Sequence, residues 1–451
     1  MKILKSIRSK QGKKRLRVVV NLAIPSGLNS FFDILVIGIC LFFMGRIDDN
    51  HVLAVSISLN FFTLAYAFTT IFYVGTNAQI ARLFGAKILS NIPKVTQTMA
   101  VGGFISALPI TLLGLLSSFY YFQWLDLSAE ANDLATTFMS ILMLSFPSTM
   151  LKTIIIASFA AIGNTIYPLI IRIISAIVVT ILCYGLVFGI DFLGIPPLGI
   201  IGAGVALLVG AYLELILFLA FWFRSKLLFK ISKFDWSYFA KGLKIGVPTG
   251  VERFLILFAI VFISKLYSNY GDLALAGSQV GARIEAFSFM PTFGFMVAAM
   301  VLMGQSIGSG KLKLARIYTQ TIIIFSSVIM GISGILLIVF GNAFSEIFSS
   351  DPEVIKSSYA YLIAVGLSQI PLAWIFVYDG ALRGAGMTKT ALFLNVGSIW
   401  FLRILPMGAL VYINAPLWTL YAIICIETFL RAFIFRWFFN TNSWQKAPRI
   451  L

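Results

Sequence analysis

The chain has 451 residues, of which 59% are hydrophobic, 15% aromatic and only 11% charged, with a formal net charge of +17. A soluble globular chain carries about 45–50% apolar and about 25% charged residues, so this composition excludes a cytosolic enzyme, a disordered tail and an ordinary nucleic-acid binder. What remains is a polytopic membrane protein, all-α because only helices and closed barrels satisfy their backbone groups in lipid.

A helix needs about 20 apolar residues to cross the hydrocarbon core. Twelve such runs follow one another, near 18–45, 52–81, 97–122, 134–161, 167–190 and 199–223, then 242–267, 274–303, 316–341, 355–382, 390–413 and 416–438. Pro25, Pro109, Pro147, Pro248, Pro291, Pro371 and Pro406 fall inside runs, where kinks are expected. The first run is too long for a signal peptide and lacks a small-residue cleavage site. Three cysteines, Cys40, Cys183 and Cys425, lie in apolar runs without a C-x-x-C pair. The sequence therefore supports neither a disulfide framework nor a metal knuckle. The single histidine, His51, is expected in a polar turn without chemistry.

Charge sets the orientation. The first seventeen residues hold Lys2, Lys5, Arg8, Lys10, Lys13, Lys14, Arg15 and Arg17. With that tail inside, the inside segments hold 25 of the 34 basic residues, through to Arg449. The outside loops hold only Arg46 and Lys356, along with ten acids that include Asp126, Asp133 and Asp191. This positive-inside pattern predicts both termini in the cytoplasm of a plasma (bacterial inner) membrane. The net charge then reflects topology and attraction to anionic lipid, not nucleic acid.

The chain also repeats itself. Ala23-Ile24-Pro25-Ser26-Gly27 opens the first span and Gly246-Val247-Pro248-Thr249-Gly250 the seventh, 223 residues later. Gly85-Ala86 and Gly308-Ser309, and then Gly163-Asn164-Thr165 and Gly386-Met387-Thr388, keep the same offset. Glu214 and Glu427 match at 213, so the second half lacks about ten residues where the first has Phe192 to Gly202. Six spans per half predict two six-helix lobes related by a pseudo-two-fold along the membrane normal, as in alternating-access transporters. The expected organisation is a basic tail (1–17), an N-lobe (18–223), a cytoplasmic linker (224–241), a C-lobe (242–438) and a cytoplasmic tail (439–451).

These landmarks resemble the multidrug and toxic compound extrusion (MATE) family of secondary transporters. The matching stretches are Leu22-Ala23-Ile24-Pro25, Leu53-Ala54-Val55-Ser56, Gly246-Val247-Pro248, and Arg283 through Pro291. Gly304-Gln305-Ser306-Ile307-Gly308 and Gly380 through Gly386 complete the set. The resemblance spans residue 15 to Trp444 and implies an antiporter that exports amphiphilic, often cationic, small molecules in exchange for H⁺ or Na⁺. It also implies that Cys40 stands where many bacterial members carry an Asp, that the fifth-span partners fall on Thr180 and Tyr184, and that a seventh-span glutamate would fall on Ile256. Asp33, two turns before Cys40, and Glu252, one turn before Ile256, are the nearest carboxylates.

Within spans stand the acids Asp33, Glu214, Glu252, Glu285, Asp379 and Glu427, and the bases Lys152, Arg172, Arg253, Lys265, Arg283, Arg403 and Arg431. Intramembrane charge faces a bundle interior or a cavity. Asp33 is expected either to couple the cation or to form a static pair with Arg172, the two lying at similar depth if the family positions Cys40 and Thr180 meet. The ion-coupling candidates are thus Asp33, Arg172, Thr180, Tyr184 and Cys40. The substrate-cavity candidates are Glu252, Glu285, Arg283, Arg403 and Asp379, with Arg403 a candidate partner for Glu252. Asp379 and Arg383 are spaced for a pair on one helix face. Glu214 and Glu427 read as architectural, and Lys265 and Arg431 as snorkelling side chains.

Two other functions remain open at this stage: a flippase for a lipid-linked precursor, which would favour a basic cavity, and an intramembrane enzyme, which the lack of intramembrane His disfavours. Gly304–Lys311 is similar to a phosphate loop but has Leu312 where Ser or Thr is required. The expectation is therefore a transporter and not an enzyme, with no cofactor or metal beyond the coupling H⁺ or Na⁺. Its expected partners are a small-molecule substrate and membrane lipid, with no nucleic acid, and a monomeric chain.

Overall fold

A computed structural model describes residues 10–125, 128–189 and 194–446. The basic residues Lys2, Lys5, Arg8 and Arg449, the acids Asp126 and Asp191, and Phe192 lie outside the described residues. The helices are α1 (Lys10–Met44), α2 (Asp49–Gly85), α3 (Ile92–Trp124), α4 (Ala129–Leu144), α5 (Phe146–Ala161), α6 (Ile166–Phe188) and α7 (Gly199–Arg224). They continue as α8 (Trp236–Ser268), α9 (Asp272–Gly308), α10 (Leu312–Glu346), α11 (Pro352–Gly384), α12 (Thr388–Tyr412) and α13 (Trp418–Asn440). Among the described residues, eleven of these are long and apolar enough to cross a membrane, and α4 with α5 makes a twelfth span bent by 43°. The protein is an all-α, multi-pass membrane protein.

The helix ends are written locally. Asp48 caps α2 by accepting the His51 N–H at 2.8 Å, and Asp351 caps α11 from Glu353 at 2.8 Å, with Pro352 in the first turn. His51 also places Nδ1 at 2.8 Å from Asp48, so its role is to complete a helix cap. The carboxyl of Asp48 lies below the usual carboxylate range because it accepts from the His51 backbone and ring. At the other ends, the Gly163 and Gly386 turns have φ of 92° and 73°, and Lys87 and Gly310 have 61° and 69°. The amide of Ile88 closes on Leu83 O at 3.0 Å, and that of Lys311 on Ser306 O at 2.9 Å. The same left-handed termination thus recurs at the 223-residue offset, with Lys87 tolerating a conformation that suits glycine better.

Pro147 stands in the first turn of α5, just after the bend at Ser145. In α12, Ser398–Ile404 forms a wide π turn. It precedes Pro406, which has no N–H to return to Leu402, and the Leu405 amide reaches back to Trp400 O.

The helices pack as two compact units, 29–246 and 1–28 with 247–451. These divisions differ from the boundaries expected at 224–241. They fall inside α1 and α8, just beyond Pro25 and just before Pro248, so the first turns of each of these helices join the other half of the sequence. Within the first unit, the segment after α7 is pinned to α3. Lys94 pairs with Asp235 at 2.6 Å, and Gln97 accepts from the Ser232 amide and hydroxyl at 2.9 Å. The Lys94 ammonium, helped by the Tyr238 and Ser237 amides, holds the Asp235 carboxyl below the usual range.

Small residues set the crossings. A Cβ on Gly246 would meet Ile71 O at 1.9 Å, within 29–246, and a Cβ on Gly294 would meet Ala23 O at 2.1 Å, within the other unit. Gly246 matches Ala23 and Gly294 matches Ile71 at the repeat offset of 223. Both halves therefore need one glycine at this contact, but on opposite helices.

Candidate functional site

In unit 29–246, α1, α5, α6 and α7 bring four charges into a row. Arg172 on α6 lies 2.9 Å from Asp33 on α1 and 2.7 Å from Glu214 on α7. Lys152 on α5 closes the row at 2.6 Å from the other oxygen of Glu214. Glu214 is buried, whereas the Asp33 side chain keeps 41% of its exposure. Two carboxylates face two cations, so the row is neutral when fully ionised.

The remaining candidates of this half do not join it. Thr180 donates its hydroxyl to Ala176 O on its own helix at 2.8 Å. Tyr184 is exposed and its ring lies 5.8 Å from Phe43. Cys40 is buried, in the same apolar core as Cys183. At the position where the family resemblance implies a carboxylate, this chain has the thiol of Cys40.

In the other unit, α8, α11 and α12 build a denser site. Arg383 donates from Nη2 to both oxygens of Glu252 at 2.8 and 2.9 Å, from Nε to Asp379 at 2.7 Å, and from Nη1 to Thr249 at 2.7 Å. Asn395 donates to Glu252 at 2.9 Å and to the second oxygen of Asp379 at 3.1 Å. All five side chains are buried. Adjacent residues on a helix point about 100° apart, so Arg253 is exposed while Glu252 turns inward. The i,i+4 pairing of Asp379 with Arg383 is as spaced, but Arg383 also bridges to α8. The partner of Glu252 is therefore Arg383, not Arg403.

Arg403 instead binds Glu427 at 2.5 and 3.0 Å from the α12 π turn, and Arg431 approaches the other Glu427 oxygen at 3.0 Å. Arg431 is buried and does not snorkel, because Glu427 one turn away on α13 compensates it. Glu285 accepts the Tyr361 hydroxyl at 2.5 Å. Arg283 is exposed, on a different face of α9 from Glu285. Glu252 and Asp379 thus share one guanidinium, Arg383, while Glu427 meets two, Arg403 and Arg431. One negative charge of the Arg383 cluster is uncompensated when its three groups are ionised.

Sequence reasoning listed the intramembrane acids and Lys152, but not Arg383 as a hub, nor Asn395, Thr249 or Tyr361, and it gave Lys152 no partner. Asn395 had a signal: it is the repeat equivalent of Arg172, 223 residues on. Both residues contact the carboxylate that α1 or α8 supplies.

Comparison with known proteins gives these sites a family. The MatE family model matches twice, over 25–185 and 248–407, its two starts separated by the repeat offset. The chain belongs to this family. It is 24% identical over 415 residues to the probable multidrug resistance protein NorM of Thermotoga maritima, covering 90% of this chain and 88% of the relative. It is 21% identical to the multidrug export protein MepA of Staphylococcus aureus, covering 90% of each chain. Among solved structures, a MOP superfamily transporter from Pyrococcus furiosus aligns with a TM-score of 0.89 at 16% identity, over 96% of this chain and 97% of that one. The MATE transporter VcmN of Vibrio cholerae aligns with a TM-score of 0.88 at 15% identity, over 97% and 98%. At these identities the structural matches establish the fold.

Proposed function

We propose that the protein exports amphiphilic, often cationic, small molecules across the cytoplasmic membrane by alternating access, with both termini inside, in exchange for protons taken up at Glu252 and Asp379. Its relatives are named a probable multidrug resistance protein in Thermotoga maritima and a multidrug export protein in Staphylococcus aureus. The observation that carries the coupling role is the charge count: the buried cluster of Glu252, Asp379 and Arg383 sets two carboxylates against one guanidinium and has room for one more positive charge. A buried carboxylate without full compensation is costly, and a proton removes that cost.

A proton fits this site better than Na⁺. Each oxygen of Glu252 and Asp379 already accepts an N–H from Arg383 or Asn395. A hard cation needs several oxygen ligands at once, and would have to displace the guanidinium. A proton needs one oxygen and the loss of one donor contact. Release of that contact changes what Arg383 binds, and only such differential binding shifts a conformational equilibrium. The anionic excess also disfavours a flippase, whose pyrophosphate cargo calls for basic lining.

The test is export of a cationic dye from cells or vesicles containing the protein, with pH and Na⁺ gradients collapsed separately. Export should stop when the pH gradient is dissipated and continue in Na⁺-free buffer. Export that follows Na⁺ and ignores pH would overturn proton coupling. Dye export no faster than in membranes lacking the protein would overturn the exporter reading.

A further inference from the structure

One intramembrane acid belongs to neither the coupling cluster nor the other ion pairs. Asp33, Glu214, Glu252, Asp379 and Glu427 each have a guanidinium or ammonium within 3.0 Å. Glu285 on α9 forms no ion pair among the described residues. One of its oxygens accepts the Tyr361 hydroxyl at 2.5 Å. The other accepts no hydrogen bond among the described residues, and the side chain is half-buried.

Glycines build this arrangement. A Cβ on Gly281, one turn before Glu285, would stand 2.6 Å from the Tyr361 ring, and one on Gly277 would stand 2.5 Å from Ser357 Cβ. Without them α11 lies close against α9, so Tyr361 crosses over Gly281 and its hydroxyl reaches Glu285. Tyr361 meets Tyr421 of α13 edge to face at 5.6 Å, and Tyr421 meets Tyr267 of α8 at 5.6 Å. The Tyr421 hydroxyl is held by Ser357 at 2.8 Å. Tyr267 is only 4% exposed, and its hydroxyl has no partner among the described residues. All of these residues lie in one unit.

We propose that Glu285 anchors the positive charge of the exported molecule, with Tyr267, Tyr361 and Tyr421 as an aromatic wall, so that cargo and proton are held by different carboxylates of the same unit. This role rests on the export function proposed above and adds the group that recognises the cargo. A cation leaving water for the span needs a carboxylate that is not already neutralised. Glu252 and Asp379 do not offer one, since their oxygens accept N–H groups from Arg383 and Asn395. Glu285 has an oxygen to offer and no guanidinium to displace. The rings select the kind of cation. Aromatic faces attract positive charge, but they do not supply the several oxygen ligands that a hard cation requires. A weakly hydrated quaternary ammonium or phosphonium fits such a wall, and the Tyr267 hydroxyl is available to a polar group on the cargo.

Binding is measured on the full chain in detergent, without a gradient, by isothermal titration calorimetry. The probes are tetraphenylphosphonium and triphenylphosphine oxide, a neutral molecule of related shape. Glu285→Gln should weaken phosphonium binding at least tenfold and binding of the oxide less than twofold, and Glu285→Asp should recover most of the phosphonium affinity. Equal weakening of both probes would make Glu285 a structural clamp for Tyr361. Unchanged phosphonium binding in Glu285→Gln, or no binding by the wild type, would overturn the anchor. Carbodiimide labelling of the wild type decides the matter without a mutation. Dicyclohexylcarbodiimide should leave an adduct on Glu285, found by peptide mass spectrometry, that phosphonium reduces at least fivefold and the oxide does not. An adduct indifferent to phosphonium, or none at Glu285, would also overturn the proposal. Phosphonium binding that depends on Glu285, in a protein that exports no dye, would sink the export reading alone. Dye export with phosphonium binding independent of Glu285 would sink the anchor alone.

Discussion

The two units use the same helix framework for different electrostatics. In 29–246, a carboxylate on α1 meets Arg172, a cation on α6. In the other unit, a carboxylate on α8 meets Asn395, a neutral amide at the repeat-equivalent position. The missing cation is supplied by Arg383 on α11, which is shared with Asp379. The first arrangement balances two acids with two bases, and the second leaves one acid over. A repeated scaffold can thus hold one closed ion row and one cluster with a carboxylate in excess, and burial makes each uncompensated charge matter.

The largest expected effect tests the hub. Arg383→Met leaves Glu252 and Asp379 facing each other in a dry site, and stranding a buried charge costs about 3–5 kcal/mol. The variant should show sharply reduced thermal stability in detergent, measured by the aggregation temperature, and the added change Glu252→Gln should recover much of it. No loss in the single variant would mean the site is wetter than its burial indicates.

Next, Glu252→Gln or Asp379→Asn should leave a folded protein that binds dye in detergent but loses gradient-driven export. Such a loss is specific to the second unit if the comparison holds. Retention of pH-driven export by both variants would move the coupling group elsewhere, with Asp33 first in line.

Asp33→Asn should do less. Its side chain is 41% exposed, and exposed pairs contribute about 0–1 kcal/mol. Stability should fall by no more than that, with pH-driven export retained. A complete loss restored by adding Arg172→Gln would mark a structural pair, and a loss not so restored would mark Asp33 as a coupling carboxylate.

The smallest effect concerns the latch between Asp235 and Lys94. The Asp235 carboxyl lies below its ordinary value when folded. Its contribution is therefore present above the unfolded pKa and fades as pH falls through the folded one. Hydrogen exchange in 225–238 should be slow at neutral pH and accelerate on acidification below the ordinary aspartate range. In Asp235→Asn it should be fast already at neutral pH.

Sequence alone determined the membrane class, the spans and the repeat, because each rests on local chemistry. Twenty apolar residues suffice to cross lipid wherever they occur, and a left-handed turn such as Gly163 or Gly386 terminates a helix regardless of its neighbours. The list of intramembrane charges was legible for the same reason. So was the i,i+4 spacing of Asp379 and Arg383, which needs only one helix. Pairings across helices were not. Arg383 binding Glu252, Arg403 binding Glu427 and Lys152 reaching Glu214 depend on the rotation and depth of separate helices, which no periodicity encodes. Arg431 looked like a snorkelling side chain because its span gives no hint that Glu427 is turned inward with it. Where the helices divide into units was decided by packing as well: Pro25 and Pro248 stand near the divisions, but only tertiary contacts assign the first turns of α1 and α8 to the other half of the chain.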